Sequence, residues 1–308
     1  MTSHRNGHVN GSNGADLNGP RVRGHGDNGI GDVRAIILAG GRGTRLAPYT
    51  SVLPKPLMPI GDRSILELVV DQLTSVGIRD FTFCVGYLSH LIETVFAHRP
   101  PATANIAYVH ESHPLGTAAP LKLVERPKST FIVMNGDVLS NIRYADLIEH
   151  HRAQANLVTI ATYEQAIKIE YGIIHLGDSR RVRALEEKPR IVSNVSMGIY
   201  VLEPAVIDQI PDDAPFDFPD LVTRLLDRGE RVGSYHHDGL WFDIGNHDDY
   251  VAAVEIWEQA QAATRANGTA PSAMRANGTA TAGRPSRTEA ISRTEANGHA
   301  AAARVSHG

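Results

Sequence analysis

VRAIILAGGRGTRL, residues 33–46, decides how the chain is read. Val33–Leu38 is a continuous apolar run of strand length, the pattern of a strand buried on both faces of a parallel sheet. It runs into Gly40, Gly41 and Gly43, which let backbone approach a ligand closely and turn N–H groups toward phosphate oxygens. Arg42 and Arg45 add fixed positive charge with a geometry suited to phosphate. Ten residues after Arg45, Pro54-Lys55-Pro56 holds a lysine between two rigid φ angles. The segment is not a Walker P-loop, which needs a Lys that is absent here. Nor is it a complete dinucleotide fingerprint, because Leu46 stands where the last glycine belongs.

Downstream, β and α patterns alternate. Ser64 and Glu67 form the two ends of a capping box. The helix they open carries Ile65, Leu66, Val69, Leu73 and Val76 on one face, with Gly77 at its C-cap. Strands are expected at Asp80–Val85, Asn105–His110, Phe131–Met134, Leu157–Thr162 and Ser196–Leu202. Helices are expected at Leu88–Ala97, Tyr144–Arg152, Pro204–Gln209 and Phe218–Arg228. Gly172–Leu176 and Arg181–Leu185, joined by Gly177-Asp178-Ser179, read as a hairpin. This order predicts an α/β fold, an open and mostly parallel Rossmann-like sheet covered on both faces, with an inserted β-hairpin region. Ligands of such sheets bind at the carboxyl ends of the strands.

The ends of the chain have a different texture. Residues 1–32 are Asn/Gly-rich, and residues 261–308 are a low-complexity tail in which Arg265-Ala-Asn-Gly-Thr-Ala recurs from Arg275. Neither holds enough apolar surface to offset its ordering entropy, which leaves 33–260 as the folded domain. The chain has 30 basic and 34 acidic residues, a balance that argues against nucleic-acid binding by bulk charge. A single cysteine rules out an intrachain disulfide, and Cys84, in an apolar strand, reads as an inert core residue. No apolar run approaches the roughly 20 residues that span a bilayer, and no signal peptide is evident. The expectation is a cytoplasmic protein without membrane or nucleic-acid partners.

LAGGRGTRLAPYTSVLPKPLMPIGDRSILE, from Leu38, resembles the signature of the sugar-1-phosphate nucleotidyltransferases, or nucleotide-sugar pyrophosphorylases. The likeness continues through Glu111-Ser-His-Pro-Leu-Gly-Thr-Ala118, Asn135-Gly-Asp137, Tyr171-Gly172, Glu186-Glu-Lys-Pro189, Met197-Gly-Ile-Tyr200 and Trp241-Phe-Asp-Ile-Gly245. It implies the nucleotide-diphospho-sugar transferase fold and the joining of a nucleoside triphosphate to a sugar 1-phosphate with release of pyrophosphate. It places the nucleotide against Leu38, Ala39, Gly40, Gly41, Gly43, Thr44 and Arg45, and against Glu111, Gly116 and Thr117. Arg45 would bridge the triphosphate and Lys55 would bind its phosphates. Asp137 and Asp243 would hold Mg²⁺, or Mn²⁺ in its stead. Lys188 would grip the sugar phosphate, Glu187 would accept from sugar hydroxyls, and Gly172 would offer backbone groups to the sugar, with Ser196 nearby.

The base and the acceptor stay open at this level. Glu111 could accept from guanine N1–H and N2–H together, which favours GTP. It could equally contact ribose or cap a helix, leaving UTP, CTP, dTTP and ATP as alternatives. Ser196-Met197 stands where guanylyltransferase relatives often read Asn-Ala, which makes the pocket less polar. Mannose 1-phosphate, a deoxy sugar, a heptose or a cyclitol phosphate such as valienol 1-phosphate, used in pseudo-sugar (antibiotic) pathways, would all fit. Two other readings compete with this one. A glycosyltransferase would show Asp-x-Asp, and a catalytically silent regulatory subunit would be expected to lose Arg45, Asp137 or Asp243; none is lost. A homo-oligomer is compatible with everything above.

Overall fold

The computed structural model describes residues 29–212 and 214–266. The expected tails at 1–32 and 261–308 therefore lie mostly outside the described residues. Inside them, Ile30 is buried in the core, and the last helix continues to Ala266.

In chain order the elements are β1 (Arg34–Ala39), the short pair β2 (Pro59–Ile60) and β3 (Arg63–Ser64), α1 (Ile65–Ser75), β4 (Asp80–Val85), α2 (Ser89–His98) and β5 (Asn105–His110). Then follow β6 (Phe131–Asn135), β7 (Val138–Ser140), α3 (Tyr144–Ala153), β8 (Val158–Lys168), β9 (Ile173–Leu176), β10 (Val182–Glu186) and β11 (Arg190–Leu202). The series closes with α4 (Phe218–Asp227), β12 (Val232–His237), β13 (Trp241–Asp243) and α5 (His247–Ala266). Seven strands form one sheet in the order β12-β8-β11-β6-β1-β4-β5. β1 pairs in parallel with β4 and with β6, as β4 does with β5 and β12 with β8; only β11 runs antiparallel to its neighbours.

The pleat explains why the central strands are apolar on both faces through their middle positions. Ala35 and Ile37 of β1, Phe81 and Phe83 of β4, and Ile132 and Met134 of β6 enter the layer packed by α1 and α2. Ile36, Cys84, Phe131 and Val133 enter the opposite layer, with Leu221 and Leu225 of α4. Successive residues thus serve different cores. Cys84 is fully buried, and burial pushes its thiol up to about 12, as suits an unreactive packing residue.

Local chemistry fixes the first helix as expected. Ser64 accepts from the Glu67 amide, and Glu67 accepts from both the amide and the hydroxyl of Ser64. The structure departs from expectation at Pro204–Gln209, which winds as a 3₁₀ helix rather than an α-helix. The strand expected at Ser196–Leu202 begins six residues earlier, because Arg190–Val195 continues the ladder with β8 across a bulge between Ser196 and Tyr200. The hairpin is present as the two-stranded sheet β9–β10, separate from the main sheet.

Candidate active site

Because β1, β4, β5 and β6 run parallel, the segments that follow them gather along one edge of the sheet. The chain leaves β1 toward β4 and β5 on one side and toward β6 on the other, so the sheet changes direction beside β1. This is the crevice in which open α/β sheets bind ligands. The glycine loop follows β1, Gly86-Tyr87 follows β4, Glu111 follows β5 and Gly136-Asp137 follows β6.

The loop is held in shape by close contacts. Gly43 lies at φ +61°, in the left-handed region that favours glycine, and its carbonyl accepts from the Thr50 hydroxyl at 2.9 Å. Leu46 is buried and anchors the 3₁₀ turn Thr44–Leu46, while Gly41, Thr44 and Arg45 remain exposed. Gly40 accepts from the Tyr87 amide at 3.2 Å, and a Cβ on Gly40 would collide with the Glu111 carboxylate. Glu111 is half-buried, and burial pushes its carboxyl above the usual range against the pull of the Leu115 amide and His113. Gly40, Gly86 and Glu111 therefore form one wall. Arg42 lies over the Tyr87 ring at 5.4 Å.

Lys55 is the buried member of the cationic set, 8% exposed. Its Nζ makes an ion pair with Asp137 and stands 4.0 Å from Asp243 Oδ1. The two aspartates, 106 residues apart in sequence, meet because β13 pairs antiparallel with β7, placing Asp243 opposite Val138. Arg45 reaches the same place, since a Cβ on Gly245 would lie 3.7 Å from its Nη1. Partial burial, then the neighbouring Asp137 carboxylate, push the Asp243 carboxyl upward, while Lys55 and Arg45 oppose them. Asp137 Oδ1 is a buried oxygen with no hydrogen-bond partner. An unpartnered carboxylate oxygen with a second carboxylate in its neighbourhood is a fit for a hard divalent cation, with phosphate and water oxygens completing its shell. Among the described residues no cluster of three His, Cys, Asp or Glu side chains forms a closed metal cage.

Of the residues expected at the sugar, Gly172, Glu187 and Lys188 flank the β9–β10 ribbon, and Ser196 lies on β11 of the main sheet. Gly172 and Glu187 are brought together, a Cβ on Gly172 lying 3.0 Å from Glu187 Oε2. Lys188 is exposed at φ +46° and pairs with neither aspartate. The Ser196 hydroxyl donates to Tyr200 at 3.1 Å and accepts from the Gly198 amide at 3.3 Å, so it serves the bulge. Gly116 and Thr117 are likewise engaged by protein. Asp217 accepts from the Thr117 amide at 2.7 Å and hydroxyl at 3.0 Å, and Gly116 at φ +86° packs against Phe216 and Asp217.

Sequence reasoning passed over Gly86-Tyr87, and it read Asp217 and Trp241 only as members of motifs, with no role of their own. The first had a usable signal, a glycine directly after a buried strand, as in the Gly-rich loop. Trp241 donates from Nε1 to the Met197 carbonyl at 3.1 Å and packs on Tyr163 at 5.3 Å, making an aromatic wall beside Asp243.

The fold is that of nucleotide-diphospho-sugar transferases. The nucleotidyl transferase family model matches residues 34–260, and the chain belongs to that family. It is 33% identical over 238 residues to a mannose-1-phosphate guanyltransferase of Yarrowia lipolytica, covering 73% of this chain and 64% of that one. It is 31% identical over 242 residues to a UTP–glucose-1-phosphate uridylyltransferase of Synechocystis, covering 72% and 62%. Among solved structures, HddC from Yersinia pseudotuberculosis superposes with a TM-score of 0.58 at 25% identity, over 73% of this chain and 99% of that one. The chain thus spans 62–64% of the length of these two curated relatives. Among the described residues no helix is long and apolar enough to cross a membrane.

Proposed function

We propose that the chain joins a nucleoside triphosphate, with GTP favoured, to a sugar or cyclitol 1-phosphate, releasing pyrophosphate. One observation carries this reading: the β7–β13 pairing that sets Asp137 and Asp243 around Lys55, with Arg45 alongside, at the mouth of a glycine loop. That arrangement suits the meeting of two polyanions. It supplies no Ser, Cys or His nucleophile, and the reaction needs none, because the attacking phosphate oxygen is already an anion.

The chemistry follows from charge and position. A sugar-phosphate oxygen attacks the α-phosphorus, the bond from that phosphorus to the bridging oxygen breaks in line, and pyrophosphate leaves with the electron pair. Backbone N–H groups of Gly40–Gly43 hold the triphosphate in one pose, which supplies the entropy of approach. Arg45 and Lys55 stabilise charge that grows on the leaving group, in a site partly shielded from water. Asp137 fixes the Lys55 ammonium by their ion pair, so the cation needs no reorganisation as charge develops. The family uses a divalent metal ion. Asp137 and Asp243 would hold it, Mg²⁺ or Mn²⁺, and when bound it would neutralise phosphate oxygens. Glu187 and Gly172 would receive the sugar, and Lys188 its phosphate.

Glu111 supports GTP. Placed against Gly40 with one oxygen turned to the loop, it can accept from two adjacent donors of guanine, which the other common bases do not present together. The test is pyrophosphate release over a grid of five nucleoside triphosphates and a panel of hexose, heptose and cyclitol 1-phosphates. Release confined to GTP with one acceptor is the expected result. Release with another nucleotide refutes the role of Glu111, and no release from folded protein in any well refutes every acceptor of the panel and favours a silent subunit or an acceptor outside it.

A further inference from the structure

The pair β7–β13 is a two-stranded ladder three residues long, and so short a ladder is at best marginally stable in water. Its register nevertheless decides where Asp243 stands. A slip of one residue turns that carboxylate to the other face. A slip of two carries it roughly 7 Å along β7, away from Asp137 and Lys55. Contacts outside the ladder have to fix the register.

Asn141, directly after β7, and His237, the last residue of β12, meet at the far end of the pair from the aspartates. The Asn141 amide donates to the Leu240 carbonyl at 3.1 Å, and the return bond comes from its side chain, where Oδ1 accepts from the Leu240 amide at 2.6 Å. Asn141 thus adds a further rung to the ladder with a side-chain oxygen in place of a carbonyl. A backbone N–H can only donate, which fixes the carboxamide with its oxygen toward Leu240. His237 Nε2 lies 3.1 Å from the same Oδ1 and 3.2 Å from the Leu240 carbonyl. Both neighbours are acceptors there, so Nε2 carries a proton and bridges them. The ring is buried, and β12 anchors it to the main sheet through its pairing with β8. Gly239 lies inside the turn, where a Cβ would collide with Asn141 Oδ1 and with the His237 ring.

We infer that Asn141 and His237 are positioning residues: they lock β13 in register on β7 from the edge of the main sheet, and so hold Asp243 beside Asp137 and Lys55. The turn could close through the His237–Leu240 contact alone. The bonds to Asn141 reach across 96 and 99 residues, to the end of the strand that begins beside Asp137. The consequence for the aspartates rests on the function proposed above; the lock itself does not.

Four variants of the full chain test both parts. Asn141→Ala and His237→Leu remove the acceptor and the donor, and His237→Gln returns an N–H to the place of Nε2. Gly239 is not at positive φ, so Gly239→Ala drives the two side chains apart without a backbone cost. Hydrogen exchange of the ligand-free protein, followed by mass spectrometry, reads the lock. Amides of 240–243 are expected to exchange about tenfold faster in the three disruptive variants, with β1 and β6 unchanged, and at the wild-type rate in His237→Gln. Unchanged exchange at 240–243, or an equal rise in β1 and β6, overturns the lock. Turnover reads the consequence. The disruptive variants are expected to lower kcat at least about tenfold and to raise the Mg²⁺ concentration for half-maximal rate at least about threefold. The nucleotide KM is expected to stay within about twofold, and His237→Gln to restore both changed values. Faster exchange with kcat and Mg²⁺ requirement unmoved overturns the positioning role. If Asp243→Asn also leaves them unmoved, the metal assignment is at fault and the positioning falls with it, while exchange decides the lock by itself.

Discussion

Gly198 offers the sharpest test of how the fold positions Asp137. It lies in the β11 bulge at φ +71°, and a Cβ there would stand 2.6 Å from Asn135 Nδ2 and 3.1 Å from Asn135 Cγ, with Val138 at an ordinary 3.5 Å. Gly198→Ala thus incurs two separate costs. Left-handed backbone costs alanine about 1–2 kcal/mol, and the collision with Asn135 adds an overpacking cost of about 1–3 kcal/mol. Asn135→Ala removes both colliding atoms and leaves the backbone cost alone. Urea unfolding of the wild type, both single variants and the double variant, followed by Trp241 and Trp257 fluorescence, gives a full cycle. The expected coupling is about 1–3 kcal/mol, the collision alone. Because Asn135 opens the turn to Asp137, Gly198→Ala should also lower turnover, with recovery in the double variant. Additivity within about 0.5 kcal/mol would refute the packing of the bulge against this turn.

Asp137→Asn should lower turnover about 100-fold or more while unfolding stays cooperative, read by pyrophosphate release and calorimetry. Asp137→Ala should also lower stability by removing the nearer partner of buried Lys55, leaving Asp243 at 4.0 Å, and Lys55→Met in the same chain should restore part of that stability but no activity. Glu111→Gln should raise the KM for GTP roughly 10- to 100-fold, the worth of hydrogen bonds to a charged acceptor, and leave other triphosphates unaffected. His151 is buried against Thr159 at 2.9 Å and Glu203 at 3.2 Å, and burial holds its pKa below the usual value despite Glu203. The unfolded chain therefore binds this proton at a higher pH than the folded one, so stability should fall as pH drops below about 6.5. The slope from one such group is at most about 1.4 kcal/mol per pH unit, and His151→Gln should reduce it. His237, lowered likewise by burial, leaves a residual slope of the same sign.

What could be read from sequence was what local chemistry determines. The Ser64–Glu67 capping box and the apolar runs Ala35–Ala39 and Phe131–Met134 leave the chain few alternatives. The elements that assemble the site were harder. β7 and β13 have three residues each and exist only as partners of one another, so neither carries a pattern. Asp137 and Asp243 were legible as residues, through resemblance, but not the pairing that joins them. β12 is an edge strand whose Ser234 and His236 are exposed, and that polarity hid it. α5 opens on His247-Asp248-Asp249 and runs into an Ala-rich stretch whose composition resembles the tail that follows. The Pro204–Gln209 turn shows the opposite error, since an apolar pair at Val206 and Ile207 fits a short 3₁₀ turn as well as an α-helix.

Attack by the sugar phosphate on the α-phosphorus is the central claim, and isotope labelling tests it most directly. An acceptor 1-phosphate with ¹⁸O in its phosphate should deliver all of its label to the nucleotide sugar, leaving pyrophosphate unlabelled and formed one for one. Label in the released pyrophosphate, or pyrophosphate released without any acceptor, would contradict it.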